Sequence, residues 1–554
     1  MPIRQVLKAR LMAALTQCGV EASRVVIEHP ADITHGDYAT GAALQYAKQA
    51  GMAPRALSEK IVAALGEISG VSKIDIAGPG FINFHLAPAA LAASIEEARK
   101  EDMWGANKNL AGKKIMVEYT DPNPFKEFHI GHLMSNAIGE SISRLVQFSG
   151  AEVKRANYQG DIGPHVAKAI WGLEKLGLDP SSAVSLGKAY IEGSKAYEDD
   201  LKAKAEIDAI NAKVYDHSDV RIDDVYSKGR AASLEHFETI YAALGTQFDY
   251  YFFESQTAQK GLELVRSHEE VFSASDGAVV YKGEDEGLHT RVFITSKGLP
   301  TYETKELGLA VMKAETWNFD TSITVTANEQ KEYFKVVQAA MRKLFPDIAS
   351  KITHITHGMM RFAEGKMSSR TGNVITGESL LTDLTEAARE RAKESRADNA
   401  ETLAQNVAVA AIKYQILKQG SGKDIIFDRE RALSLEGDSG PYLQYAHART
   451  QQVLEKAKEQ NVAAKTDSGA EPNEVSHLLH RFPEVVENAT TLMEPHVLTN
   501  YLITLAAAFN SWYGREQILD GTPAAAHKVA LTDAVRRTLK NGLWILGIPA
   551  PEKM

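Results

Sequence analysis

The sequence predicts an α/β chain whose middle is a Rossmann-like parallel sheet, preceded by an α+β region and followed by an all-α region. Three observations carry that prediction. Between about 110 and 380, short apolar runs suited to buried strands alternate with helical stretches. Residues 1 to about 108 mix helices with short strands, and after about 380 strand signals almost vanish. At 554 residues the chain is too long for one hydrophobic core. The boundaries expected are 1–108, 109–378 and 379–554.

The elements follow in order. The first fifteen residues set Arg4, Lys8 and Arg10 between apolar positions, and they lack the continuous apolar core and small-residue cleavage site of a targeting peptide. An amphipathic helix is expected there. Residues 74–76 and 81–86 read as strands joined by Gly78, Pro79 and Gly80. Residues 114–119 are a buried-strand candidate, broken by 121–124. A helix with Ile138, Ile142 and Leu145 on one face runs to Gly150, and 152–157 is the next strand. Strand, helix, strand in this pattern builds a parallel sheet with helices on both faces. Candidate strands at 291–294, 322–326 and 352–357 continue the alternation, and the charged helical segment at about 172–245 reads as an insertion into it. Residues 403–417, 441–456 and 498–512 read as helices, with a linker rich in charge and small residues at 459–474.

Composition bounds the function. An apolar share of 44% and a charged share of 24% are those of an ordinary soluble protein. No apolar stretch approaches the roughly 20 residues that cross a bilayer. One cysteine, Cys18, leaves no internal disulfide and no multi-cysteine zinc site. A cytoplasmic protein without membrane contact or protein-bound zinc is expected. The formal charge of −10 does not exclude a nucleic-acid partner, because binding depends on local patches.

Two clusters carry chemistry. Lys126-Glu127-Phe128-His129-Ile130-Gly131-His132 lies just past the first strand of the sheet and opens a helix. Ligands of open α/β sheets bind at that end of the strands, and a helix N-terminus offers free N–H groups to phosphate. Two histidines three apart can donate to phosphate oxygens, and Gly131 lets a nucleotide approach the backbone. With 17 His and 40 Gly, a His-x-Gly-His string arises by chance about four times in a hundred such chains, so its position matters more than its letters. The second cluster, Glu364-Gly365-Lys366-Met367-Ser368-Ser369-Arg370-Thr371-Gly372-Asn373, is a loop of small and cationic residues after the last candidate strand. Such a loop can close on a triphosphate; taken alone it also reads as a solvated basic loop.

In this order and spacing the two clusters resemble the HIGH and KMSKS motifs of class I aminoacyl-tRNA synthetases. The surrounding sequence resembles the arginyl members of that class. His35-Gly36-Asp37-Tyr38-Ala39-Thr40 and Ala77-Gly78-Pro79-Gly80-Phe81-Ile82-Asn83-Phe84 are similar to the family's N-terminal domain, which implies contact with the outer corner of tRNA. Val117-Glu118-Tyr119, Pro122-Asn123 and Tyr158-Gln159-Gly160-Asp161-Ile162-Gly163 match the catalytic core. Leu433 onward through Gly440-Pro441-Tyr442-Leu443-Gln444-Tyr445-Ala446-His447-Ala448-Arg449 resembles the opening of the helical anticodon-binding domain, and Leu546-Gly547-Ile548-Pro549 onward looks like the family's C-terminus.

The resemblance implies a ligase that activates L-arginine with ATP and Mg²⁺ and transfers it to tRNA(Arg), a monomer with no DNA partner. It implies His129, His132, Gly131, Lys126, Lys366, Met367 and Ser368 at the triphosphate. It places Glu118 and Glu306 at the guanidinium, which carboxylates in fixed geometry read best, with Tyr302 packing beside it. Asn123, Gln330 and His129 would hold the amino and carboxylate end. No metal site is expected beyond the Mg²⁺ that travels with ATP. Tyr442, Tyr445 and Arg449, at i, i+3 and i+7, form a face that can stack on unpaired bases, with core packing as the other reading.

Three departures stand out. Glu306 occupies a position where the family usually has Asp, and the extra methylene shifts the carboxylate by about 1.3 Å. Ala327-Asn328-Glu329-Gln330 replaces a histidine-containing segment, and Ser369 stands at the second KMSKS lysine, whose charge Lys126 would supply. Another class I synthetase, a non-catalytic relative and a small nucleotidylyltransferase fit less well. They fail respectively on the missing zinc cysteines, on the intact His129, His132 and Lys366, and on length.

Overall fold

The computed structural model describes residues 3–363, 375–393, 395, 397–467 and 469–554. The chain gathers into two compact units. One holds Met1–Gly105, Ala446–Val485 and Tyr501–Asn541; the other holds Ala106–Tyr445, Val486–Asn500 and Gly542–Met554.

In the first unit the N-terminal helix Ile3–Gln17 buries Leu7, Leu11, Ala14 and Leu15, the i, i+4, i+7, i+8 stripe expected of an amphipathic helix. Strands β1 (Tyr38–Thr40), β2 (Val71–Ala77) and β3 (Phe81–Leu86) form an antiparallel sheet in the order β1-β3-β2. The turn at Gly78, Pro79 and Gly80 joins β2 to β3, with Ala77 facing Phe81. Asp37 ties this sheet to His477 in the same unit: it accepts the Leu86 N–H at 2.8 Å and pairs with the His477 imidazole.

The second unit is built on a parallel sheet. Its strands are β4 (Lys114–Glu118), β5 (Glu152–Gln159), β6 (Tyr250–Phe253), β10 (Thr321–Ala327) and β11 (Ile352–His357), in the order β11-β10-β4-β5-β6. All four pairings are parallel. Counted within the sheet the order is 5-4-1-2-3, the Rossmann arrangement, and it reverses between β4 and β10. That reversal opens a crevice at the carboxyl ends of the two strands. The β4–β5 crossover is helix Ile130–Phe148, whose Leu133, Ile138, Ile142 and Leu145 are buried.

Two sequence expectations are corrected here. Residues 291–294 are a strand, β9 (Arg291–Ile294), but it pairs in an antiparallel sheet with β7 (Ser273–Ser275) and β8 (Ala278–Tyr281), in the order β7-β8-β9. Only half of β9 is buried, as an antiparallel strand with one covered face allows, whereas β4 is buried in four of five positions. The place in the parallel sheet belongs to β6, four aromatic residues directly followed by a helix. The last third also contains a short strand, β13 (Ile425–Phe427), paired in parallel with β12 (Met360–Phe362).

The segment at 172–245 is helical and lies on the β5–β6 crossover, within the helices Pro164–Leu176, Ala183–Asp199, Leu201–Asp216 and Val220–Leu244. These helices share a core of Val166, Ile170, Leu186, Ile207, Val214 and Ile222 that also takes in Phe125. The insertion therefore supports the loop that leads to the histidines. The helices expected at 403–417, 441–456 and 498–512 are present as Ala400–Leu417, Gly440–Glu459 and Pro495–Arg515. Among the described residues no helix is long and apolar enough to cross a membrane.

Candidate active site

The loop from β4 to helix Ile130–Phe148 is strained. Thr120 (φ 82°), Asp121 (φ 48°) and Phe125 (φ 69°) all have left-handed backbones. For a β-branched residue such as Thr120 this costs on the order of 1–3 kcal/mol. Hydrogen bonds hold the conformation: Thr120 N–H donates to Ser135 Oγ (3.0 Å), Asn136 Nδ2 to Thr120 Oγ1 (3.0 Å), and Phe125 N–H to Ser233 Oγ on the inserted helix (2.9 Å).

The loop wraps a cleft of about 550 Å³ at the reversal point, floored by Glu118 and by Thr324, Val325, Thr326 and Ala327 of β10. Of the residues expected at a site, the cleft brings together Glu118, Asn123, His129, Gly131, His132, Tyr302, Glu306 and Gln330. Asn123 is fixed against Gly160, where a Cβ would come within 2.2 Å of its amide oxygen. Gln330 ends the short turn Asn328–Gln330 after β10, and Tyr302 stands at the mouth, 61% exposed.

The two histidines stack, with ring centroids 3.4 Å apart. His132 Nδ1 accepts the His129 backbone N–H at 3.3 Å, which leaves its proton on Nε2. Burial, then Lys126 and His357, pushes His129 down to about 4. Burial, then His129 and Lys126, holds His132 well below the ordinary imidazole value. Both are therefore neutral donors near pH 7, suited to phosphate oxygens by hydrogen bonding rather than by charge.

Lys126 lies outside the lining of the cleft. It is half-buried, with its ammonium 5.0 Å from the ring centre of Tyr190 on the inserted helix Ala183–Asp199. Lys366, Met367 and Ser368 lie outside the described residues. Just past that stretch, Gly377 N–H donates to the Phe128 carbonyl at 2.8 Å, which brings the chain back beside His129.

The carboxylates of the cleft divide into two kinds. Glu118 pairs with Lys313 at 2.8 Å, Glu254 with Lys305 at 2.6 Å and Glu303 with Arg291 at 3.5 Å. Glu306 and Asp121 make no ion pair among the described residues. Glu306 accepts from the Tyr333 hydroxyl at 3.1 Å; burial and then Glu118 push its carboxyl up to about 8, against Lys313. Asp121 accepts the Tyr158 N–H at 2.8 Å; burial, Glu118 and Glu306 raise it well above the ordinary range.

Sequence reasoning missed Asp121, Lys313, Tyr333 and His357. Asp121 carried a signal: a carboxylate in the strand-to-helix turn, read only as a strand breaker. Lys313 lies seven residues after Glu306 on helix Tyr302–Thr316, which puts both on one helical face.

On helix Gly440–Glu459, Tyr442 and Tyr445 are half-buried. Arg449, also half-buried, donates to Asn510 Oδ1 at 2.5 Å and lies 5.1 Å from the ring centre of Tyr513.

Comparison with known proteins bears on all three regions. Residues 3–86 match the model of the arginyl tRNA synthetase N terminal domain. Residues 95–429 match that of the class I (R) tRNA synthetase catalytic domain, and 443–554 that of the DALR anticodon binding domain. The chain is 31% identical over 551 residues to an arginine–tRNA ligase of Clostridium acetobutylicum, covering 97% of each. It is also 31% identical to one of Treponema pallidum, covering 97% of this chain and 96% of that one. The fold superposes on the arginyl-tRNA synthetase of Thermus thermophilus with a TM-score of 0.82 at 26% identity, over the full length of both.

Proposed function

The chain belongs to the class I arginyl-tRNA synthetases and is an arginine–tRNA ligase, and on that premise we propose that its chemistry takes place in the cleft between β4 and β10. The arginine carboxylate attacks the α-phosphate of ATP in line, giving arginyl-adenylate and pyrophosphate, and the arginyl group then passes to the 3′ end of tRNA(Arg). No covalent enzyme intermediate is needed, so the protein works by positioning and by stabilising negative charge. His129 and His132 donate to the triphosphate, Gly131 lets it approach the backbone, and Mg²⁺ arrives with ATP as part of the substrate. Lys126, Lys366 and Ser368 meet the leaving pyrophosphate, and Met367 belongs to the ATP site. Asn123, Gln330 and His129 hold the amino and carboxylate end of arginine, while Tyr302 and the carboxylates Glu118 and Glu306 attend its side chain.

The observation that carries this reading is the convergence of neutral imidazoles and acidic residues on one cleft at the sheet's reversal point. Tyr442, Tyr445 and Arg449 form the anticodon-facing side of their helix; unchanged tRNA affinity of Arg449→Ala in filter binding would remove Arg449 from it. The regions 1–108, 109–378 and 379–554 serve tRNA contact, catalysis and anticodon binding in a cytoplasmic monomer. The test is ATP–pyrophosphate exchange against all twenty amino acids, with and without tRNA. Exchange with arginine alone, and only when tRNA is present, is expected; a response to a different amino acid would overturn the assignment.

A further inference from the structure

Six carboxylates line the cleft: Glu118, Asp121, Glu254, Glu303, Glu306 and Glu329. Three are already neutralised by the protein's own cations, Glu118 by Lys313, Glu254 by Lys305 and Glu303 by Arg291. Glu329 is exposed on the turn after β10, where water solvates it. Two remain that are not exposed and make no ion pair among the described residues, Asp121 and Glu306, although both lie within the field of Lys313.

Their geometry is alike. Each has one oxygen fixed by a protein donor, Asp121 by the Tyr158 N–H and Glu306 by the Tyr333 hydroxyl. Each keeps a second oxygen that makes no hydrogen bond among the described residues. The chain also accepts a left-handed backbone at Thr120 and Asp121 to hold the aspartate there. Neither of these second oxygens is sealed in the protein interior: both residues are partly buried and line the cleft, so a ligand there can bring the donors they lack. The complementary ligand is a cation carrying several N–H donors in a fixed plane, which describes a guanidinium.

We propose that Asp121 is a specificity-determining residue for arginine, taking the guanidinium jointly with Glu306. The inference rests on arginine occupying this cleft. Glu118, bound to Lys313, then acts mainly by its field, keeping the neighbouring carboxyls demanding a positive charge. With the cleft empty, burial and mutual repulsion favour protons on Asp121 and Glu306; an arriving guanidinium displaces them, so arginine binding releases protons.

The experiment compares wild type, Asp121→Asn and Glu306→Gln. Asparagine keeps an acceptor for the Tyr158 N–H, so the loop is retained. For Asp121→Asn the KM for arginine rises at least tenfold, kcat stays within threefold and the KM for ATP is unchanged. An arginine KM within twofold of wild type overturns the inference. If Glu306→Gln raises the arginine KM while Asp121→Asn does not, this inference alone fails. If neither does, arginine is bound elsewhere and the reading beneath it fails too. Calorimetric titration of the Glu306→Gln chain with arginine, in buffers of different ionisation enthalpy, provides a readout without altering Asp121. Proton release that persists supports Asp121 as the second group, and its disappearance overturns the proposal.

Discussion

Two acidic clusters meet at the end of one strand and are treated in opposite ways. Glu118 ends β4 on the cleft side, beside Asp121 and Glu306; its neighbour Tyr119 donates a hydrogen bond to Glu140. Glu140 is as buried as Glu118, at 2% exposure, but it pairs with Arg144 at 2.7 Å and Arg155 at 3.4 Å. Burial alone would raise its pKa; Arg144, Arg155 and Lys413 outweigh burial and hold it below the ordinary value. In the cleft, burial prevails for Asp121 and Glu306. The first cluster completes itself and locks helix Ile130–Phe148 in place. The second is left short of positive charge, a loss of stability tolerated where a substrate of that charge enters.

The largest expected effect breaks the complete cluster. Glu140→Gln leaves Arg144 and Arg155 without their carboxylate, and the chain should lose about 3–5 kcal/mol in urea unfolding. A loss below about 1 kcal/mol would mean the two clusters do not differ as described. The folded fraction of this variant should keep the wild-type KM for arginine.

Glu306→Gln should do the reverse. A carboxyl that titrates at about 8 in the folded chain and at 4.5 unfolded holds its proton more tightly when folded. Its stability contribution is complete below about 4.5 and is lost as pH rises through 8. Glutamine never ionises, so the variant should be the more stable above pH 8, by on the order of 1–3 kcal/mol, with the difference fading towards pH 4.5. Thermal unfolding across that range checks the sign. An unfolding temperature below wild type at pH 8 would show that Glu306 is a satisfied structural acid.

How much of this was legible in the sequence follows from how local each signal is. The β4 strand, the His129–His132 helix and the helices of the last third rest on periodicity within one window, and each is present. Strand β6 is four residues long, too short for a pattern, and β9 announced itself as a strand without announcing its partners. Within the site, Glu306 and Asn123 were reached only through resemblance. The pairing of Glu118 with Lys313 spans 195 positions, and nothing near either residue encodes it. Whether a buried acid is satisfied is a tertiary property, and that property separates the two clusters.

A smaller effect sharpens the comparison through pH. If the cleft carboxyls must shed protons to receive a guanidinium, arginine affinity should rise from pH 6.5 to 8.5, by more than about tenfold for a group that titrates at about 8. Equilibrium titration with arginine at fixed ionic strength measures this directly. A flat profile would mean that the acids are already ionised when empty, as Glu140 is, and the contrast would vanish.

The smallest effect is expected on the other side of the same cleft. His129 titrates at about 4 and burial holds His132 well below the ordinary imidazole value, so neither gains a proton between pH 6.5 and 8. Lys126 helps keep them neutral, and its own ammonium is held over Tyr190 rather than against the imidazoles. Phosphate oxygens then meet N–H donors whose state does not change across the physiological range. The KM for ATP should vary less than twofold from pH 6.5 to 8 while arginine affinity climbs. If the histidines instead served as cations, the KM for ATP would rise about tenfold per unit above their pKa, and the two halves of the cleft would titrate together. Opposed behaviour of the two substrates in one pH series therefore tests the division between a neutral donor wall and an under-neutralised acidic floor.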